Sequence, residues 1–237
     1  MARVATLSRS VALFRAFLRE QRDPGGFYRL LAEDSVAQLA DRVFLEGATV
    51  LDVGAGPGWF AQAFRSAGAR YIGLDLHSEA TGTGALLVRA SGEALPVRTG
   101  AVDLTFCSNV LEHARHPWVL ASELVRSTRP GGTVYLSFTP WYSPWGGHET
   151  APWHYLGGHR ARRRYLRRHG TEPKNRYGEN LFPVTVAAAL RWAHTRPDVA
   201  LDAVFPRYHP WWAAWMAAVP GLREVVSWNV VLVLRRR

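Results

Sequence analysis

The chain has 237 residues, a formal net charge of +10 and a single cysteine. This length can form one α/β domain with a full core, and one cysteine excludes both a disulfide framework and a cysteine-based zinc site. The basic excess favours anionic partners such as phosphate, carboxylate or lipid head groups. No apolar run reaches the ~18–20 residues that span a bilayer, and no secretory signal stands out. The sequence therefore predicts a cytoplasmic protein.

The first 45 residues are predicted to form an N-terminal helical cap. Apolar residues at helical spacing predict a first helix over residues 3–19. This helix could cover a site, lie on a membrane surface or simply dock on the core. The sequence Asp23-Pro24-Gly25-Gly26 predicts a break, and a second helix is expected from Phe27 to Phe44.

The most informative segment is a glycine-rich turn after an apolar strand. Residues Val50 to Val53 run into Gly54-Ala55-Gly56-Pro57-Gly58, and a helix is expected from Trp59 to Ala67, ending at Gly68. Such a turn lets backbone N–H groups approach a ligand at a helix N-terminus. A second strand, Tyr71 to Asp75, ends in an acid that can hold two ribose hydroxyls. These features predict a nucleotide-type cofactor site at the carboxyl edge of a parallel sheet.

The spacing of the glycines counts against NAD or FAD as the cofactor. A dinucleotide-binding turn has the form G-x-G-x-x-G or G-x-G-x-x-A. Here the third glycine, Gly58, comes one residue early, and Trp59 stands where that turn needs a small residue for close packing of helix on strand.

The spacing G-x-G-x-G instead resembles class I S-adenosylmethionine-dependent methyltransferases of the type 11 kind. The resemblance continues in order over roughly residues 45–140. After a third strand it includes the segment Ser91 to Pro96, and the fourth strand is Asp103 to Asn109. A turn follows at Val110 to His113. A loop at Arg129 to Gly132 then leads into the fifth strand, Thr133 to Phe138. The resemblance implies one α/β domain over residues 1–237, with a Rossmann-like, seven-stranded, doubly wound sheet and a cofactor-binding core at residues 46–140.

The same resemblance implies that S-adenosyl-L-methionine is the cofactor and indicates its contacts. The glycines would approach the methionine part, Asp75 would hold the ribose, and Asp52 would organise the turn or bind the amino group through water. The family usually has an aspartate where Ser91 stands, so the adenine contact here is a neutral and weaker one. The expected cofactor-binding residues are Asp52, Gly54, Ala55, Gly56, Gly58, Asp75, Leu76, Ser91, Gly92, Glu93, Ser108 and Asn109.

Residues 141–183 follow the fifth strand and are too long for a simple connection, so they are expected to form a lid or substrate-binding insert. Within them, Ser143 to Gly158 resembles a segment of cell-envelope-associated methyltransferases of mycobacteria and corynebacteria. Aromatic rings beside His and Glu suit a sugar or lipid head group, although these groups could instead only pin the lid's own fold. Residues 184–237 are expected to complete the sheet, with a helix at 184–194 and an antiparallel pair of strands at 199–205 and 227–234.

A hydroxyl acceptor would need a general base, whereas a carboxylate acceptor would not. The candidate bases are His113, His148 and His154, because imidazole titrates near neutral pH. His113 could instead only shape the pocket. The spacing of His148, Glu149, His154 and His159 is too irregular to indicate a metal site, so no bound metal is predicted.

Two surface segments suggest contact with an anionic membrane at its inner face. Arg160 to Arg176 contains eight basic residues and one acid, and Pro210 to Pro220 contains three tryptophans. The first could equally be a solvated helix face, and the second a pocket wall or a dimer contact.

The sequence thus predicts a methyltransferase that modifies a hydroxyl or carboxylate of a small molecule, more specifically of a lipid or glycolipid. The alternatives are an RNA methyltransferase and a non-catalytic scaffold that keeps the cofactor fold. Nucleic acid is disfavoured because residues 109–112 lack the N/D-P-P-Y/F motif of amino-directed enzymes and no RNA-binding domain is appended. The oligomeric state is left open.

Overall fold

The computed structural model describes residues 5–20, 22–77 and 86–237. Its centre is a seven-stranded sheet of order β3-β2-β1-β4-β5-β7-β6. The first five strands run parallel, and β7 lies antiparallel between β5 and β6. The strands are β1 (Thr49–Val53), β2 (Arg70–Asp75), β3 (Leu86–Arg89), β4 (Val102–Ser108), β5 (Thr128–Phe138), β6 (Val199–Pro206) and β7 (Val230–Arg236). The predicted Rossmann-like sheet with its antiparallel final pair is confirmed.

Some strand ends differ from the prediction. The strand β5 begins at Thr128 instead of Thr133, because Val102 pairs with Thr128 while Leu104 pairs with Thr133. The predicted loop at residues 129–132 is therefore an irregularity within a longer strand. The last strand begins at Val230 instead of Ser227.

In the described part of the chain, seven α-helices surround the sheet, and short 3-10 helices occur in the loops. The α-helices are α1 (Leu7–Phe17), α2 (Pro24–Ala40), α3 (Ala61–Ser66), α4 (Pro117–Ser127), α5 (Gly158–His169), α6 (Val186–Thr195) and α7 (Leu222–Val226). The helix α5 lies in residues 141–183, where the sequence pattern indicated no definite element. The helix α3 is shorter than expected, because residues 58–60 still belong to the glycine-rich turn.

The predicted break at residues 23–26 is wrong, since α2 begins there. The Asp23 side chain accepts a hydrogen bond from the Gly26 N–H at 2.9 Å and caps the helix. Pro24 is tolerated in the first turn because the N–H that it lacks would have no partner within the helix. The capping Asp23, the proline and the two glycines therefore begin the helix α2, whereas the sequence pattern had indicated a break before it.

The core has two layers, one on each face of the sheet. In β1, Val50 faces one layer while Leu51 and Val53 face the other, as strand alternation requires. The first layer packs α1, α2 and α3 on the sheet, and the second packs α4 and α6. This arrangement leaves the carboxyl ends of the parallel strands open for a site. Within the described ranges, no helix combines the length and apolar character needed to cross a bilayer.

Candidate active site

The glycine-rich turn lies where β1 ends. Its three glycines all have positive φ: +81° at Gly54, +52° at Gly56 and +88° at Gly58. The N–H of Gly54 donates to the carbonyl of Leu74 at 2.7 Å, which ties the turn to β2. A Cβ atom on Gly54 would lie 2.1 Å from Cγ2 of Val110. Close approach of the backbone and left-handed φ together require glycine here.

Asp75 ends β2 and faces the turn. Its Oδ2 accepts the N–H of Gly56 at 2.8 Å, and its Oδ1 accepts the N–H of His77 at 2.8 Å. An ionised carboxylate offers about four acceptor positions, so lone pairs remain for two ligand hydroxyls. The carboxylate can therefore hold the turn and a ribose together.

Asp52 lies beneath the turn. It is buried, and its Oδ2 accepts the Tyr71 hydroxyl at 2.6 Å. Burial raises the pKa of Asp52 to about 7, against the lowering effect of the Tyr71 hydrogen bond. This hydrogen bond joins Asp52 of β1 to Tyr71 of β2, and a role of Asp52 in organising the turn stays a prediction.

A cavity of about 1390 Å³ lies at the carboxyl edge of the sheet. Seven of the predicted cofactor-binding residues line it, and five others are absent from the lining formed by the described residues. The lining group is Gly54, Asp75, Leu76, Ser91, Gly92, Glu93 and Asn109. The residues absent from the lining are Asp52, Ala55, Gly56, Gly58 and Ser108.

Several of these residues are held in place by specific contacts. The Ser91 hydroxyl accepts the N–H of Glu93 at 3.2 Å, and the Glu93 carboxylate binds His116. Asn109 has a φ of +58°, and its Oδ1 accepts Nδ2 of Asn229 at 2.7 Å. Such fixed backbone and side-chain positions pre-organise the lining of the cavity.

One wall of the same cavity is aromatic. Phe17 contacts Phe27 and Trp145 with ring centroids 5.9 and 5.0 Å apart, and Phe14 contacts Trp228 at 5.2 Å. All five side chains line the cavity. Trp145 comes from residues 141–183, so this insert shares the cavity with the cofactor turn. The lining of the cavity therefore combines polar groups with an aromatic wall.

Two of the three predicted catalytic histidines meet in the cavity. His113 and His148 both line it, with ring centroids 5.1 Å apart. The Nδ1 of His113 lies 2.7 Å from the carbonyl oxygen of Asn180, to which it donates. Burial, with a smaller contribution from His113, lowers the pKa of His148 to about 4. His148 is therefore neutral at neutral pH, but it is a weak base there.

His154 lies elsewhere. It is buried against Trp141, and its Nε2 donates to the carbonyl of Ser143 at 3.2 Å. It is absent from the cavity lining formed by the described residues. This placement matches the alternative that some residues of the insert hold its own fold together.

Two buried residues near the cavity went unrecognised in the sequence. Glu112 lines the cavity, and its Oε1 accepts the N–H of Thr139 at 2.9 Å. Its position directly after the fourth strand, beside His113, was the available signal. Arg207 is fully buried and donates to the hydroxyls of Ser35, Ser108 and Ser137 at 2.6–3.1 Å. Nothing in the surrounding sequence distinguishes Arg207 from the many surface arginines.

The turn and the polar residues of the cavity lining fit S-adenosyl-L-methionine. The turn leaves the cradle open only because Gly54 has no side chain, and a Cβ atom on Gly92 would lie 3.0 Å from Leu120. Asp75 would offer a carboxylate to the ribose, and Ser91 and Gly92, which also line the cavity, would lie beside the adenine. When bound, the cofactor would supply a methyl group activated on a sulfonium centre. The chain's own residues would hold it, orient the acceptor and exclude water.

Comparisons with known proteins agree with this geometry. Residues 51–136 match a family model described as a methyltransferase domain. A protein of Mycobacteroides abscessus named "Uncharacterized methyltransferase" is 50% identical over 253 aligned positions, covering 100% of this chain and 97% of its own length. This identity over the full length establishes a shared family.

Solved structures share the fold. An S-adenosylmethionine-dependent methyltransferase from Mesorhizobium loti aligns with a TM-score of 0.59 at 24% identity, covering 86% of this chain and 98% of its own. Geranyl diphosphate C-methyltransferase from Streptomyces coelicolor A3(2), solved with S-adenosyl-L-homocysteine, aligns with a TM-score of 0.59 at 16% identity, covering 92% and 85% of the two chains. The glycine turn, the sheet and these relatives together identify the chain as a member of the S-adenosyl-L-methionine-dependent methyltransferase family.

Proposed function

We propose that this enzyme transfers a methyl group to a hydroxyl or carboxylate of an amphipathic acceptor of the lipid or glycolipid class. One observation carries the proposal: a single cavity joins the cofactor turn to an aromatic wall. Its volume of about 1390 Å³ exceeds the ~300–1,000 Å³ that is usual for small-molecule sites. The surplus gives room for an acceptor with a large apolar part beside the cofactor.

The polar side chains of residues 141–183 suit the head group of such an acceptor. His148, Glu149, Lys174 and Asn175 line the cavity. The Glu149 Oε1 accepts Nδ2 of Asn175 at 2.9 Å, which fixes both groups. Fixed acceptors and donors together with a cation can bind hydroxyls or an anionic group. We assign this segment the role of an acceptor-binding lid.

For a hydroxyl acceptor, His113 is the best placed of the predicted bases. Its Nδ1–H donates to Asn180, so the neutral ring keeps a lone pair on Nε2. His148 lies beside it, but its lowered pKa makes it a weak base at neutral pH. A carboxylate acceptor would require neither.

We expect catalytic efficiency to rise with the alkyl length of the acceptor. Each buried methylene contributes ~0.8 kcal/mol. For a series of straight-chain acids and alcohols, kcat/KM should therefore rise up to roughly fourfold per added carbon. The rise should stop once the alkyl chain covers the aromatic wall. Release of S-adenosyl-L-homocysteine measures the rate. The variant Phe17→Ser should flatten this dependence, because a polar group would replace a central ring of the aromatic wall.

The matched control for this test is Phe44→Ser. Phe44 is 83% exposed and lies outside the described cavity lining, so its replacement should leave the length dependence unchanged. Circular dichroism checks that both variants fold. Equal rates for short and long acceptors, or methylation of RNA with no lipid-type acceptor used, would contradict the proposed substrate class.

Exposed apolar residues on the outer surface support a proposed contact with a membrane. The helix α1 exposes Leu7, Val11 and Leu18, which share one helical face with Phe14 of the cavity wall. The adjoining 3-10 helix Trp211–Ala218 exposes three tryptophans, and the N–H of Trp211 donates to the carbonyl of Ala5 at 2.7 Å. Tryptophan favours the membrane interface. We therefore include peripheral membrane contact in the proposal.

Flotation with liposomes tests this contact. The protein should float with vesicles that contain phosphatidylglycerol, and replacing Trp211, Trp212 and Trp215 by alanine should reduce the bound fraction at least fivefold. Phe44→Ala is the control, because Phe44 is also an exposed ring but lies outside both segments suggested to contact the membrane. No flotation of the wild-type protein, or an equal loss with Phe44→Ala, would argue against a specific membrane-facing surface.

A further inference from the structure

Three side chains outside the cofactor turn come together in the cavity. Glu112, His113 and His148 each offer one ligand atom, and these atoms lie within 4.8 Å of one another. Two of the residues follow β4, whereas His148 comes from residues 141–183. Bond lengths of ~2.0–2.1 Å would place tetrahedral ligand atoms roughly 3.3 Å apart, so small side-chain rotations would close the set around one ion.

The buried carboxylate of Glu112 is a second observation that indicates a bound cation. Its side chain is buried, at 1% exposure, and within the described ranges its Oε2 has no hydrogen-bond partner. A buried polar oxygen without a partner carries a desolvation cost, which a bound cation would remove. The other oxygen is held by the N–H of Thr139, so the carboxylate is already oriented.

The histidines are also arranged as metal ligands commonly are. His113 donates Nδ1–H to the carbonyl of Asn180, the kind of contact that fixes the tautomer and leaves Nε2 free for a metal. His148 is held at a φ of +49°, a strained backbone conformation for a residue other than glycine. Strain of this kind persists where the surrounding structure fixes a side chain in place.

We propose that Glu112, His113 and His148 bind one divalent transition-metal ion, with zinc the best fit. Two imidazoles and one carboxylate are a donor set typical of zinc sites that keep a fourth position open. All three residues line the cavity, so that position would face the acceptor. With Nε2 of His113 on the metal, that histidine would not act as the base; the metal ion would instead bind the acceptor oxygen and lower the pKa of its hydroxyl. Metal binding can be measured without any acceptor, so this inference does not depend on the proposed substrate class.

Calorimetric titration of the chelator-treated full-length protein with Zn²⁺ tests the proposal. We expect one ion per chain with a submicromolar Kd, and a loss of affinity of at least 100-fold in Glu112→Gln and in His148→Asn. Asparagine tolerates positive φ, so His148→Asn removes the imidazole while preserving the backbone. Titration with Co²⁺ adds a spectroscopic readout, because its visible absorption reports nitrogen ligation and low coordination number.

His194→Ala is the control, since His194 is exposed on α6 and should leave the stoichiometry and the affinity unchanged. Thermal unfolding of each variant without metal identifies any that fails to fold. The absence of stoichiometric Zn²⁺ binding by the wild-type protein would overturn the proposal. Unchanged affinity in folded His148→Asn would do so as well, and would leave His113 as a metal-free base.

Discussion

Replacing Gly54 by alanine is expected to weaken S-adenosyl-L-methionine binding at least 100-fold, about 2.7 kcal/mol. The added Cβ would lie 2.1 Å from Cγ2 of Val110, a distance that real Cβ contacts do not show. The φ of +81° adds a cost of roughly 1–2 kcal/mol for any residue with a side chain. Either the turn or the segment that begins at Val110 must then move. Gly54 and Val110 both line the cavity that contains the proposed cofactor site. Calorimetric titration with the cofactor measures the loss.

Two further variants separate the effect of the steric clash with Val110 from the effect of the positive φ at Gly54. Gly47 has a φ of +71°, and a Cβ atom there would have no neighbour within 4 Å among the described residues, so Gly47→Ala carries the strain alone. It should lower stability by about 1 kcal/mol without changing cofactor affinity. Adding Val110→Ala to Gly54→Ala should restore part of the affinity, since it removes the methyl groups that clash. Wild-type affinity in Gly54→Ala would show that the turn does not hold the cofactor.

Replacing Asp75 by alanine is expected to weaken cofactor binding at least tenfold, about 1.4 kcal/mol. The change removes the proposed acceptor for the ribose hydroxyls. It also removes the acceptor for the N–H of Gly56, so the turn loses its contact with the end of β2. The same titration, with S-adenosyl-L-methionine and with S-adenosyl-L-homocysteine, should show equal losses, because both ligands carry the ribose.

Asp103→Ala is the matched control. Asp103 also accepts a backbone N–H, that of Thr49 at 2.8 Å, but it lies near the opposite end of the parallel strands. Its loss should reduce stability and leave cofactor affinity unchanged. Asp75→Ala would count against the assigned site if it bound both ligands as tightly as the wild-type protein while remaining folded.

The cofactor half of the fold could be predicted because its signals are local. Three glycines in five residues and an acid at the end of the next strand indicated the turn and placed Asp75 near it, although the hydrogen bond between Gly56 and Asp75 is seen only in the structure. The order of apolar strands and helices likewise agreed with the doubly wound sheet that the family resemblance implied. The errors concerned element ends, as at Pro24, where a helix-starting cap has the same composition as a break.

The acceptor half could not be predicted because it depends on contacts between distant residues. His148 and His154 look equivalent in the sequence, yet one lines the cavity and the other is buried against Trp141. Glu112 meets His148 only after residues 141–183 fold back over the carboxyl ends of the strands. Arg207 is likewise recognisable only from the hydroxyls that surround it in three dimensions.

The strand order also has a consequence for how the protein is made. Phe138 at the end of β5 pairs with Val230 of β7, so every residue between them must leave the ribosome before β5 gains its second neighbour. Until then β5 presents an apolar edge with unpaired backbone groups, which other nascent chains could pair with. Expression should therefore be sensitive to translation speed and chaperone supply, even if the finished enzyme is stable.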